Sequence, residues 1–107
     1  MMSSKAYKLE FYVPQADAEQ VKAALFAAGA GRIGNYDSCC WSTSGCGQFR
    51  PLENSSPAIG EHGKIERVNE TKIELVCSAE LIDEVISALK KSHPYETPAY
   101  SYWQINF

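Results

Sequence analysis

Apolar and polar residues alternate from Ala6 to Val13, placing Tyr7, Leu9, Phe11 and Val13 on one face and Lys8, Glu10 and Tyr12 on the other. A period of two predicts a half-buried strand, and Pro14, which has no N–H for a ladder, is expected to end it. The period then changes. From Ala16 to Ala28 apolar positions recur at Val21, Leu25 and Ala28, with Ala18 and Ala24 beside them, predicting a helix with Asp17 and Glu19 at its positive end. Gly29 stands where a left-handed residue would close that helix.

Residues 37–44, rich in Cys, Trp, Ser and Thr, suit a strand. Ser44-Gly45-Cys46-Gly47 is expected to interrupt it, with pairing resumed over Gln48-Phe49-Arg50 before Pro51. Leu52 to Gly63 reads as a loop. Lys64 to Cys77 is extended again, with Thr71, Ile73, Leu75 and Cys77 opposite Lys72 and Glu74. Ser78 is the expected N-cap of a second helix, with Glu80, Asp83 and Glu84 early and Lys90 and Lys91 late. Its buried stripe is Leu81, Ile82, Val85, Ile86 and Leu89, and Pro94 forbids its continuation. The last strand, Ala99 to Asn106, alternates imperfectly, as a bulge or an oligomer contact near Trp103 would explain.

Two β-α-β units with right-handed crossovers predict an α+β fold: a ferredoxin-like βαββαβ sandwich, with a four-stranded antiparallel sheet and two helices on one face. The other face is left bare. Tyr12, Val76 and some of Cys40, Trp41, Tyr102 and Trp103 would lie on it, an apolar load that predicts self-association as a dimer or trimer.

Composition narrows the class of function. A chain of 107 residues is expected to form one domain, 1–107, and its 45 % apolar content excludes a wholly disordered chain. Neither an apolar leader near Met1 nor a run long enough to span a membrane is present, so the expected location is the cytoplasm, with reduced cysteines. The net charge of −3, with ten scattered Lys and Arg, argues against nucleic acid as a partner. Cys39, Cys40, Cys46 and Cys77 form no CxxC pair and read as small buried hydrophobes plus one exposed thiol.

All seven glycines fall from Gly29 to Gly63, and the candidate chemistry is concentrated there and in His93–Pro98. Arg32, Asn35 and Arg50 with glycine-loop N–H groups are a candidate anion or nucleotide site; the alternative is a structural turn in which Arg32 pairs locally. In HPYETP, His93, Tyr95 and Glu96 are candidates for ligand, metal or proton-transfer roles. The alternative is structural, with His93 satisfying the helix terminus and Glu96 accepting bonds from nearby turns. Were the loop to fold against the end of the second helix, His62, His93, Glu96 and Cys46 would make a mixed zinc or copper site.

Four segments in order, GAGRIGNYDSC (Gly29 to Cys39), GCGQFRP (Gly45 to Pro51), the PxxG and HG steps ending at Gly60 and Gly63, and HPYETPAY (His93 to Tyr100), resemble the YqfO-type domain. That domain occurs as an insert in Nif-three-like (Ngg-interacting-factor-like) proteins and in short chains standing alone, the form expected here. The resemblance implies a fold similar to CutA and the PII signalling proteins. It also implies that the two-metal centre of the longer proteins lies outside this segment, so that a hydrolase label is not expected to transfer. The expected function is a non-enzymatic, oligomeric binding or regulatory module sensing a metal ion or small anionic ligand, with a protein partner a further candidate. The alternatives are metal binding or trafficking through His62 and His93, and a small hydrolase with His93 as base.

Overall fold

In β1 (Lys5–Pro14) Leu9, Phe11 and Val13 are buried and Tyr12 is exposed, as the alternation requires. The computed structural model describes residues 5–107; residues 1–4, part of the stretch read above as having no leader, lie outside the described residues. β1 sits between β3 (Glu66–Ser78) and β4 (Tyr100–Asn106), and β2 (Trp41–Phe49) completes an antiparallel sheet of order β2-β3-β1-β4. α1 (Ala18–Ala27) and α2 (Ile82–Ser92) supply Val21, Leu25, Val85 and Leu89 to one core with Leu9, Phe11, Val13, Ile73, Leu75 and Cys77 from the sheet. Each fully buried large side chain there contributes roughly 1.5–3 kcal/mol, so the core holds the frame on which the loops are mounted.

α1 ends as its glycine foretells. The Gly29 N–H donates to the Phe26 carbonyl and the Ala30 N–H to that of Leu25, with Gly29 at φ +104°, a closed Schellman motif. The Gly31 N–H then donates to the Val76 carbonyl at 2.8 Å, which stitches the crossover to β3.

The structure corrects four details. β2 runs unbroken through Ser44-Gly45-Cys46-Gly47, because the ladder to β3 holds the backbone and neither glycine has a positive φ. Ser78 makes no side-chain cap; the chain first tightens into a 3-10 turn at Ala79–Leu81, and the Ile82 N–H donates to the Ala79 carbonyl. β4 contains no bulge, its register running evenly from Lys5↔Asn106 to Phe11↔Tyr100. Finally, the bare sheet face is less apolar than expected. Tyr12, Val76, Trp41 and Trp103 lie on it, but its centre carries Lys72–Glu10 and Lys8–Glu74 ion pairs at 3.2 and 3.7 Å. Tyr102 instead faces the helix side, edge-on to Tyr7 at 5.3 Å, and Cys40 packs against the core.

β1 pairs with β3 only as far as Glu70, whereas β2 and β3 stay paired to Phe49↔Glu66. A two-stranded arm therefore projects beyond the helices, and the molecule extends 54 Å along its longest axis. Cys77 is buried, and burial pushes its thiol pKa up, away from reactivity; Cys46 is exposed, and Cys39 and Cys40 are partly so. Among the described residues no helix is long and apolar enough to cross a membrane.

Candidate functional site

Where β1 stops and the arm continues, the sheet leaves a corner, and two loops fill it from opposite directions. The His93–Ala99 connection passes under the arm, and residues 50–63 fold across it. Between them lies a cleft of about 370 Å³ whose walls include Tyr12, Phe49, Pro51, Pro57, Ile59 and Ala99 and whose polar groups include Ser55, Glu70, Tyr95 and Glu96.

His93 anchors the connection. It is only 6 % exposed, its Nε2 donates to the Tyr12 carbonyl at 2.7 Å, and its Nδ1 accepts from the Tyr95 N–H at 3.1 Å. Both ring nitrogens are thereby consumed by backbone partners in one tautomer. Tyr95 is set by this anchor, with its ring tilted 5.1 Å from the imidazole and edge-on to Phe49 at 5.7 Å. Its hydroxyl donates to Glu70 Oε2 at 3.0 Å, tying the connection to the arm.

Gly47 explains how Glu70 gets there. A Cβ at position 47 would overlap the Glu70 carboxylate, so only glycine lets that side chain lie across β2 toward Tyr95. Replacing Gly47 with Ala is expected to displace Glu70 and free the Tyr95 hydroxyl, costing about 1–2 kcal/mol. Chemical denaturation reads the loss; an unchanged midpoint would show that the close approach is not required.

Removal from water, and then the Glu70 carboxylate, hold the Tyr95 phenol pKa well above its usual range near 10. Because the folded state binds this proton more tightly than the unfolded chain, the contribution is complete below pH about 10. It is lost as pH rises beyond that toward the folded-state pKa. Tyrosinate absorbance is expected to show one phenol resisting ionisation at about pH 11, and Tyr95→Phe is expected to remove that resistant phenol. Equal numbers of resistant phenols in both proteins would contradict the assignment.

The loop is held from several points. Glu96 Oε2 accepts from the Ser56 N–H at 3.0 Å, His62 Nε2 donates to the Ser55 carbonyl at 2.9 Å, and the Gly63 N–H donates to the Pro51 carbonyl at 2.7 Å. His62 and Glu96 therefore both brace the segment around Ser55 and Ser56. Cys46 lies on exposed β2, and no group of three His, Cys, Asp or Glu placed to hold a metal occurs among the described residues. The proposed quartet His62, His93, Glu96 and Cys46 is not assembled: both nitrogens of His93 hold backbone groups, His62 Nε2 is turned to the Ser55 carbonyl, and the four side chains do not converge on one point.

The other candidate set is split. Tyr95 and Glu96 line the cleft, and Arg50 is exposed beside it. Arg32 lines a second hollow with Gly29, Ser78 and Glu80, and Gly31 is bonded to Val76, six residues along β3 from Glu70. At about 3.3 Å per residue, the two groups sit roughly 20 Å apart in one chain. Nor does the glycine loop offer a full set of N–H donors, because those of Gly29, Ala30, Gly31 and Ile33 go to Phe26, Leu25, Val76 and Tyr36. Glu70 is a residue the sequence did not single out; its one trace was Gly47, which looked like part of an interruption and is a clearance.

No protein-family model matches the sequence. The chain is 48 % identical over 93 residues to a Mycobacterium tuberculosis GTP cyclohydrolase 1 type 2 homolog, covering 87 % of this chain and 24 % of that protein. It is 47 % identical over 98 residues to the Bacillus subtilis protein of the same name, covering 92 % and 26 %. It thus spans about a quarter of the length of the curated relatives it matches. A Bacillus cereus protein related to NIF3 superposes with a TM-score of 0.82 at 39 % identity, over 98 % of this chain and 27 % of that one. CutA from Archaeoglobus fulgidus shares the fold, with a TM-score of 0.65 at 20 % identity over 94 % of this chain and 83 % of that one. With the four motifs built into that shared frame, the chain is a homologue of one segment of the NIF3-related proteins, the YqfO-type domain of CutA/PII-like fold.

Proposed function

We propose that the chain is a non-catalytic, self-associating binding module that takes a small ligand in the cleft beneath the arm. The observation that supports this reading is the cleft itself. Its volume falls in the range of ligand pockets, its walls are largely apolar, and its few polar groups are held in place by Gly47, His93 and the braced loop. His93 is poorly suited to act as a base, because both its nitrogens hold backbone groups. On this reading the activity named in the longer relatives resides in the three-quarters of their length outside the match, and the module acts in the cytoplasm.

The cleft also bears on what is bound. Its ionisable lining residues are Glu70, Glu96 and two tyrosines, so a single copy favours a neutral or cationic ligand over an anion. Light scattering across a concentration series, combined with a thermal-shift panel of nucleotides, organic amines, zinc and copper, tests both parts. The expected result is a mass above the 11.8 kDa of one chain, with a ligand that raises the melting temperature of wild type and not of Tyr95→Ala. A strict monomer indifferent to the whole panel would overturn the proposal.

A further inference from the structure

The loop that carries Arg32 ends in a small, rigid knob. Ile33 and Tyr36 exchange two backbone hydrogen bonds at 3.0 Å around Gly34 and Asn35, with Gly34 at φ +58°. The tight reversal fixes the shape of the tip while leaving its side chains outside. Tyr36 is 76 % exposed and Ile33 42 %, an unusual display of apolar surface on a four-residue turn. Beside them Arg32 makes no ion pair and Asn35 no side-chain hydrogen bond among the described residues. The tip thus presents a guanidinium and an amide without a side-chain partner among the described residues, together with two exposed apolar side chains.

The cleft has the complementary character. Glu70 and Glu96 each accept one hydrogen bond at Oε2, from Tyr95 and Ser56, leaving Oε1 of each without a protein donor among the described residues. Around them lie Phe49, Pro57 and Ile59, and the lining contains no Lys or Arg. Tip and cleft sit at opposite ends of β3, so one chain cannot join them.

We infer that the tip Arg32–Tyr36 of one copy docks in the cleft of a second, its guanidinium meeting Glu70 and Glu96 and its Ile33 and Tyr36 covering the apolar rim. The inference rests on the self-association proposed above and adds to it a specific contact. Arg suits this position because its planar fork offers several donors to carboxylate oxygens and stacks on aromatic rings. A contact between two different surfaces must close by reciprocal pairing or by a ring if filaments are to be avoided. The cleft in such an assembly is a composite site: Arg32 and Asn35 come from one copy, Tyr95 and Glu96 from the other. The charge objection to an anionic ligand is removed there, because the second copy brings the missing cation.

The test is a charge swap read by light scattering and sedimentation. Arg32→Glu is expected to weaken assembly by roughly a hundredfold, as is Glu96→Arg, and the double exchange is expected to restore most of the loss. Since Glu96 also braces the loop, Ala58→Arg provides an independent arm: Ala58 lines the cleft, is exposed, and takes no part in the bonds named here. It is expected to weaken assembly as Arg32→Glu does, while far-ultraviolet dichroism stays at the wild-type signal for every variant. Assembly unaffected by Arg32→Glu and Ala58→Arg would overturn the tip contact and leave self-association standing. A monomeric wild type would overturn both.

Discussion

His93→Ala is expected to lower the unfolding free energy by about 3 kcal/mol, a fall in melting temperature of about 10–20 °C for a domain of this size. The substitution removes the donor to the Tyr12 carbonyl and the acceptor for the Tyr95 N–H, and the site is only 6 % exposed, so water restores little. It also leaves a hole beside Tyr95 and loosens the ring that reaches Glu70. His93→Gln, which keeps a donor in reach of Tyr12, is expected to recover about half of the loss. Zinc and copper titrations of wild type and His93→Ala separate this role from metal ligation. Equal affinities are expected, and a tight site present in wild type and absent from the variant would contradict the structural role.

Gly31→Ala is the second large effect, expected at about 2–4 kcal/mol. Gly31 has φ +79°, and an added Cβ would stand 2.8 Å from Phe26 Cε1 and 2.9 Å from the Cys39 carbonyl oxygen. The left-handed backbone alone costs about 1–2 kcal/mol, and the forced repacking of a turn held by bonds to Val76 and Cys39 accounts for the remainder. Gly34→Ala is the control. Its φ of +58° carries a similar backbone cost, but the added Cβ meets nothing within 4 Å, so a loss of only about 1 kcal/mol is expected. Equal losses at the two positions, measured by urea denaturation, would show that the crowding at Gly31 relaxes without cost.

The frame was legible because its signals are local and repeated. Leu9, Phe11 and Val13 mark one face of β1, Val85 and Leu89 the buried side of α2, and Gly29 the end of α1. Proximity of motifs along the chain misled where tertiary partners decide. His93 and Glu96 are near neighbours in sequence, but one turns inward to Tyr12 and the other reaches Ser56, 40 residues away. Glu70 carried no signal of its own, being one polar position on an alternating strand; its role exists only because Gly47 clears its path from the neighbouring strand. The glycines also differ in kind. Gly29 and Gly31 are needed for positive φ, whereas Gly47 is needed for room, a distinction composition does not make.

The hydrogen bond from Tyr95 to Glu70 converts a post-helix connection and a projecting arm into one cleft. A double-mutant cycle with Tyr95→Phe and Glu70→Ala, each of which removes one partner of the bond, isolates it when measured by urea denaturation. A coupling of about 1 kcal/mol or more is expected. Strict additivity of the two substitutions would mean that connection and arm are energetically independent and that the cleft is not built in this way.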